Sequence, residues 1–209
     1  MRTGRLEAFS DGVLAIAITL LVLDLRLPAG SNKPIGDLLA EQWPSYLAYL
    51  VSFVVIGIMW VNHHALFGQV VHVDRALLFL NLGLLLVIAA LPFPTSVAAE
   101  GLRRGGQDAK VALFAYSLTQ VLMAIAFSAI WIYIVHKPGI LQVPMSASDQ
   151  RRSIVRFSVG LLAYLALCGL AFLSPVLTLI GHALMALYYA FEQLPDVPDL
   201  PEAEPAQAS

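Results

Sequence analysis

Residues 5–12 read Arg5-Leu6-Glu7-Ala8-Phe9-Ser10-Asp11-Gly12 and lead directly into the apolar run Val13–Leu23. An apolar helix of this kind is typical of a membrane span. Polar and charged side chains at its boundary are costly to keep there, so their presence indicates a function. We therefore expect the first helix to carry the activity of the protein.

The composition predicts an integral membrane protein. Of the 209 residues, 59% are hydrophobic and only 12% are charged, about half of the charged share of an average soluble domain. Apolar runs long enough to cross a hydrocarbon core of about 30 Å recur along the chain. The fold class is therefore an all-α protein that crosses the membrane several times. The sequence has no basic patch of the kind that nucleic-acid binding requires, so we expect no nucleic-acid partner.

Six spanning helices are predicted within one transmembrane domain, residues 1–194. Pro92 and Pro94 lie near the end of the third helix, where a kink or a stop is expected. Residues 195–209 contain four prolines and four acids and no lysine or arginine, a composition typical of a disordered tail. The predicted helices cover residues 8–25, 45–71, 75–97, 108–136, 152–173 and 175–192.

The distribution of basic residues predicts the orientation in the membrane. With six spans, seven basic residues share the side of the N-terminus and five lie opposite. The positive-inside rule then places both termini in the cytoplasm of a plasma-membrane protein. The first group is Arg2, Arg5, Arg75, Lys137, Arg151, Arg152 and Arg156, and the second is Arg26, Lys33, Arg103, Arg104 and Lys110.

The first helix has a narrow stripe of branched apolar side chains. At about 100° per residue, Ile16, Leu20 and Leu23 fall within about 60° of arc. Asp11 lies about 140° away from Ile16 and is expected to point toward neighbouring helices. Ordinary helix packing or lipid contact produces the same periodicity, so the stripe alone does not indicate a pore.

Two interpretations of Ser10 and Asp11 are open. They can hydrogen-bond to the second and third helices, where His63, His64 and Asn81 are candidate partners. Alternatively, they cap the N-terminus of the first helix, where an acid is favoured by the helix dipole. The two histidines are adjacent and point about 100° apart, whereas helical zinc sites prefer a spacing of three or four residues, so we expect no metal site.

The signature Arg5-x-x-x-Phe9-Ser10-Asp11 resembles the R-x-x-x-F-S-D motif of the transmembrane protein 175 family. These proteins are potassium channels of bacteria and archaea, with an endolysosomal relative in animals. Trp60-Val61-Asn62-His63-His64 and the stretch from Asn81 to Leu91-Pro92-Phe93-Pro94-Thr95 are similar to the same family. The resemblance is specific over the first hundred residues.

This resemblance implies a homotetramer of six-helix subunits in which the first helices line a central pore. By position, Ile16 matches the main constriction, and Leu20 and Leu23 match further hydrophobic rings. Thr19 matches the hydroxyl position associated with potassium preference. The implied partners are membrane lipids and the permeant K⁺, with no cofactor. Animal relatives carry two such repeats per chain and form dimers, so four copies are implied for a chain with one repeat.

The resemblance also assigns a signature network, in which Arg5, Phe9, Ser10 and Asp11 join His63, His64 and Asn81. At the opposite end of the first helix, Asp24 either forms a ring of four acids at the pore mouth or is a solvated loop carboxylate paired with Arg26. Arg5 is expected to need a partner, for which Glu7 or a carboxylate of a neighbouring subunit is a candidate.

Two other functions remain open alternatives. One is a proton-coupled secondary transporter that uses Asp11 and His63 or His64. The other is a membrane-embedded hydrolase that uses the same groups. The sequence has no serine elbow, no metal motif and no carboxylates paired at a working spacing, so we expect no enzyme. The favoured prediction is passive K⁺ conduction.

Overall fold

The protein is all α-helical in its computed structural model, which describes residues 3–27, 30, 32–143 and 145–190. Some predicted features lie outside the described residues: the tail 195–209, the end of the sixth helix at 191–192, Arg2 and the side chain of Arg156. A 3-10 turn, Leu21–Asp24, follows the first of eight described α-helices. These are α1 Thr3–Leu20, α2 Ile35–Glu41, α3 Trp43–Gly68, α4 Arg75–Ala90, α5 Pro92–Arg104, α6 Gly106–His136, α7 Ala147–Leu170 and α8 Pro175–Ala190.

Five described stretches are long and apolar enough to cross a membrane, whereas six were predicted. α4 and α5 together form one of these stretches. α8 is apolar but has 16 described residues, fewer than the about 20 that a span requires. The described part of the predicted sixth span is therefore an apolar helix from Pro175 to Ala190. The five stretches are Thr3–Asp24, Trp43–Gly68, Arg75–Arg104, Gly106–His136 and Ala147–Leu170.

The first helix begins earlier than predicted, at Thr3 instead of residue 8. Ser10 and Asp11 therefore lie two turns inside the helix, and the prediction that they cap its N-terminus is wrong. The short helix α2 was not predicted, although Pro34 before it and Asp37 in its first turn are ordinary start signals.

The third predicted span does not stop at its prolines. It is interrupted at Leu91 and continues as α5 to Arg104. Pro92 and Pro94 lie in the first turn of α5, where backbone N–H groups have no hydrogen-bond partner within the helix. The missing N–H of proline therefore costs nothing there, and the prolines start a new helix segment. The interruption divides the span into two helices without ending it, and the predicted end at residue 97 is too early.

α6 lies at the centre of the bundle and packs against α4, α5, α7 and α8. Gly105, with φ of 73°, makes the tight turn between α5 and α6, a conformation that glycine adopts without strain. Gly101 of α5 lies against Ala112 of α6, where a Cβ would come within 2.3 Å of the alanine Cβ. Small residues thus allow close contact between helices, as is common in membranes.

Trp131 is buried in this core, with no exposed surface, and its indole Nε1 donates to Ser153 Oγ on α7. Tryptophan is common at membrane surfaces, but Trp131 does not anchor the protein there, because its side chain is buried in the core.

α1 packs on one side only, against α3, α4 and a small part of α5. Its buried residues are Leu6, Ser10, Leu14 and Ala17, at spacings of three or four that place them on one face. The rest of the helix is available for contacts outside the subunit.

Candidate functional site

The face of α1 that points away from the subunit carries the predicted pore residues. Ile16 is 62% exposed, Leu20 41%, Leu23 50% and Phe9 53%. The three predicted constriction residues and the aromatic residue of the signature are therefore all exposed, and Leu23 lies in the 3-10 turn directly after α1. The surface formed by Phe9, Ile16, Thr19, Leu20 and Leu23 is called the α1 stripe below.

Thr19 lies in the α1 stripe and is also exposed. Its hydroxyl Oγ1 donates to the carbonyl oxygen of Ile16 over 2.8 Å. Because the hydroxyl hydrogen is bound to the backbone, the lone pairs of Oγ1 are directed away from the helix. At this position the side chain offers an oxygen acceptor and no donor, which suits a cation.

The opposite face of α1 is held by a chain of buried hydrogen bonds that joins three helices. Asn81 Nδ2 on α4 donates to Ser10 Oγ over 3.0 Å, and Ser10 Oγ donates to the carbonyl oxygen of Leu6. Asn81 Oδ1 and His63 Nε2 on α3 are 2.8 Å apart. An amide oxygen only accepts, so the imidazole is the donor, and every bond in the chain then runs in the same direction. Ser10, Asn81 and His63 are at most 1% exposed.

Asp11 and His64 lie nearer the surface and have other partners. The indole Nε1 of Trp60 donates to Asp11 Oδ1 over 2.9 Å. His64 stacks on Trp60 with ring centroids 6.3 Å apart, and its Nδ1 lies 4.0 Å from a carboxylate oxygen of Glu7. The candidate partners named for Asp11 were histidines and Asn81, but the structure gives it Trp60 instead. The stretch Trp60-Val61-Asn62-His63-His64 could have suggested this partner, because Trp60 lies three residues before His63.

The structure does not join the charged residues at the two ends of the α1 stripe to their suggested partners. Arg5 is exposed and forms no ion pair with Glu7 in the described part of the chain. Arg26 donates from Nε to the carbonyl oxygen of Leu23 and forms no ion pair with Asp24 among the described residues. Asp24, in the 3-10 turn after α1, is partly exposed near the end of the α1 stripe.

Two further buried polar clusters were not found from the sequence. Ser52 Oγ on α3 lies 2.8 Å from Thr95 Oγ1 and 3.0 Å from the hydroxyl of Tyr116. Ser117 Oγ lies 2.8 Å from His182 Nε2 on α8. In the sequence, only single polar residues within apolar helices indicate such clusters. Which of these residues pair depends on which helices are neighbours.

One ion pair ties the start of α4 to the end of α6, outside the spanning segments. Asp74 caps α4 by accepting from the backbone N–H of Leu77, and it also accepts from Lys137 Nζ and the hydroxyl of Tyr133. The Leu77 N–H, the Lys137 ammonium and the Tyr133 hydroxyl together hold the pKa of Asp74 well below its usual range. The same carboxylate, followed by the Tyr133 hydroxyl, raises the pKa of Lys137.

The described residues contain no group of three histidine, cysteine or acidic side chains that could hold a metal ion. His63 is hydrogen-bonded to Asn81, whereas Asp11 and His64 both contact Trp60, and no hydrogen bond joins Asp11 to either histidine among the described residues. The arrangement instead presents an apolar surface with a single hydroxyl, positioned by a rigid buried chain.

Comparisons with known proteins identify the family. Residues 5–92 match the family described as endosomal/lysosomal potassium channel TMEM175. A potassium channel of Streptomyces collinus is 50% identical over 98% of this chain and 98% of its own length. The endosomal/lysosomal proton channel TMEM175 of Bos taurus is 31% identical over 90% of this chain and 42% of its own length.

A solved structure shares most of the fold. The crystal structure of a lysosomal potassium-selective channel TMEM175 homologue from Chamaesiphon minutus superposes with a TM-score of 0.79. It is 36% identical and covers 91% of this chain and 97% of its own chain. The resemblance seen in the first hundred residues is thus confirmed, and the chain belongs to the TMEM175 family.

Proposed function

We propose that this protein is a potassium-permeable cation channel in which α1 of each subunit lines a central pore. The observation that carries the proposal is the division of α1 into two faces. One face is fixed inside the subunit through Ser10 and Asn81, and the other presents the α1 stripe to the outside. The relatives from Streptomyces collinus and Chamaesiphon minutus are named potassium channels, and they match nearly the whole chain. The family conducts ions passively, so the protein is not an enzyme.

The proposed assembly is a homotetramer of six-helix subunits in the plasma membrane, with cytoplasmic termini. Packing of α1 on one side only supports it, since a pore-lining helix needs its other face free for the axis. The bovine relative, of which this chain spans 42%, agrees with the expectation that animal members carry two such units.

The α1 stripe explains how such a pore can close without a lid. Ile16 and Leu23 are separated by about 12 Å along the axis, at about 1.5 Å per residue to Leu20 and about 2.0 Å per residue in the 3-10 turn that follows. A ring of apolar side chains expels water when the pore inside it is narrow, and an ion that has lost its water meets a high barrier. We infer that conduction requires the rings to part until a largely hydrated ion passes.

Thr19 would supply the preference for potassium. Its Oγ1 can replace part of the water around a passing ion, because its hydrogen is already bound to the Ile16 carbonyl oxygen. A weakly hydrated cation loses water more easily than a strongly hydrated one, so such a contact favours K⁺ over Na⁺.

Flux measurements on the purified protein test the function. In proteoliposomes with a permeant anion to balance the charge, we expect rapid K⁺ efflux down its gradient, which scales with membrane voltage and is not coupled to a second ion. A pH-sensitive dye measures proton flux in the same vesicles. Slow, saturable K⁺ flux that stops without a proton gradient would show the proton-coupled transporter instead.

A cysteine scan tests which helix lines the pore. In a Cys168→Ala background, a cationic methanethiosulfonate reagent is expected to block K⁺ flux through Leu23→Cys. The matched control is Leu184→Cys on α8, which is 61% exposed and should conduct unchanged after labelling. Block of the control, with no block at Leu23→Cys, would assign the pore to another helix.

A further inference from the structure

A second feature of the subunit lies away from α1, in a cavity enclosed by α3, α6, α7 and α8. Its volume is about 60 Å³, whereas a cavity of about 10–15 Å³ is enough to hold one water molecule. The walls are mainly apolar, and half-buried side chains such as Met59 and Ala124 leave one side partly open. The space is therefore large enough for the polar head of a small molecule, with an exit for an apolar body.

Gln120 lies in the wall of this cavity and is completely buried. Neither its Nε2 nor its Oε1 has a hydrogen-bond partner among the described residues. The Tyr116 hydroxyl lies near Gln120, one turn earlier on α6, but it is hydrogen-bonded to Ser52, and Ser117 Oγ meets His182. A buried amide with both ends unpaired is costly, and such groups usually have a partner outside the protein.

The lining restricts the chemistry of that partner. None of the lining residues carries a charge, so a charged ligand would enter without compensation. A glutamine amide has both a donor and an acceptor, and the ligand must therefore offer both. Met59 and Met123 line the apolar part, and methionine adapts to irregular alkyl groups.

We propose that this cavity is a binding site for an uncharged amphiphile whose hydroxyl or primary amide head pairs with Gln120. Its alkyl body lies against Met59, Met123 and Phe127, directed toward the open side. This site is separate from the α1 stripe, and its binding is measured without ion flux, so it does not depend on the proposed channel function.

Photolabelling of the purified full-length protein with a six-carbon primary alcohol that carries a diazirine tests the site. We expect labelled peptides from α3 and α6 that contain Met59 or Met123, and excess 1-hexanol should compete with the label. In Gln120→Met the amide is replaced by an apolar group of similar size, and labelling should fall about threefold to tenfold, the effect of one lost hydrogen bond. Gln107→Met, an exposed glutamine on the same helix, should label like the wild type.

A second variant keeps the test decisive if Gln120→Met does not fold. Ala124→Leu fills the half-buried side of the cavity and should also reduce labelling, while gel filtration confirms an intact protein. Labelling that is unchanged in the folded variants would overturn the proposal. So would labels only on exposed residues such as Leu122 and Ile125, or no competable label at all, which would leave ordered water as the partner of Gln120.

Discussion

The two faces of α1 reverse the arrangement of a helix in a water-soluble protein. The inward face contains Ser10, bound to Asn81 in a buried chain, while the outward face contains the exposed Ile16, Leu20 and Leu23. In water the exposed face would be the polar one. In a membrane, lipid tails are as apolar as leucine, so apolar exposure has no cost and does not orient a helix. The buried polar contacts therefore orient α1, and the α1 stripe faces outward as a consequence.

The largest effect is expected from breaking the inward face with Asn81→Leu. A hydrogen bond between membrane helices contributes only about 0.6 kcal/mol on average. A buried donor left without a partner costs more, about 1–3 kcal/mol, and His63 would become such a donor. We expect the free energy of unfolding to fall by about 1–3 kcal/mol, measured as a lower thermal midpoint in detergent.

The control for Asn81→Leu replaces all three members of the chain, as Ser10→Ala, His63→Leu and Asn81→Leu together. Removal of every partner leaves no unpaired group, so much of the lost stability should return. If Asn81→Leu alone unfolds at the temperature of the wild type, the buried chain does not hold α1.

The outward face is tested by Ile16→Asn, which places a polar group in the predicted constriction. A wetted ring should raise the K⁺ flux about tenfold, which corresponds to a barrier lowered by about 1.4 kcal/mol, and should reduce the K⁺/Na⁺ ratio. Liposome flux with each cation measures both. Ile180→Asn on α8, at a position 43% exposed, is the matched control, and equal behaviour of the two variants would remove Ile16 from the pore.

A smaller effect is expected at Thr19, the one hydroxyl on the α1 stripe. Thr19→Val keeps the shape but removes the oxygen, so the K⁺/Na⁺ permeability ratio should fall about threefold to tenfold, as for one lost polar contact. Thr19→Ser keeps a hydroxyl that can bind the Ile16 carbonyl oxygen and should restore most of the ratio. Reversal potentials under bi-ionic conditions measure the ratio, and an identical potential for Thr19→Val and wild type would exclude this role.

The smallest effect is expected at the water boundary, where Asp74 pairs with Lys137. Asp74→Asn keeps a good N-cap but removes the charge, so the thermal midpoint at neutral pH should fall only by about 1–2 °C. Because the pKa of Asp74 is lowered in the folded protein, its contribution is present above the ordinary value of 3.8 and is lost as the pH falls below it. Wild type and variant should therefore converge in acid, and a gap that persists there would mean that the charge is not responsible.

The sequence by itself determined the features that depend on local composition and spacing. Hydropathy predicted a helical membrane protein, and the signature around Ser10 and Asp11 indicated the family. The helical period placed Ile16, Leu20 and Leu23 on one face. Each of these properties is encoded within a few turns, so no knowledge of neighbouring helices was needed.

Only the tertiary structure decided which polar groups meet. Asn81 joins Ser10 to His63 although the three residues lie on three helices, and Asp11 meets Trp60 instead of a histidine. It also showed that α1 begins at Thr3, that the third span continues beyond its prolines, and that Gln120 has no partner among the described residues. In an apolar environment every polar group needs a partner, and that partner is set by which helices lie side by side, a relation that sequence periodicity does not contain.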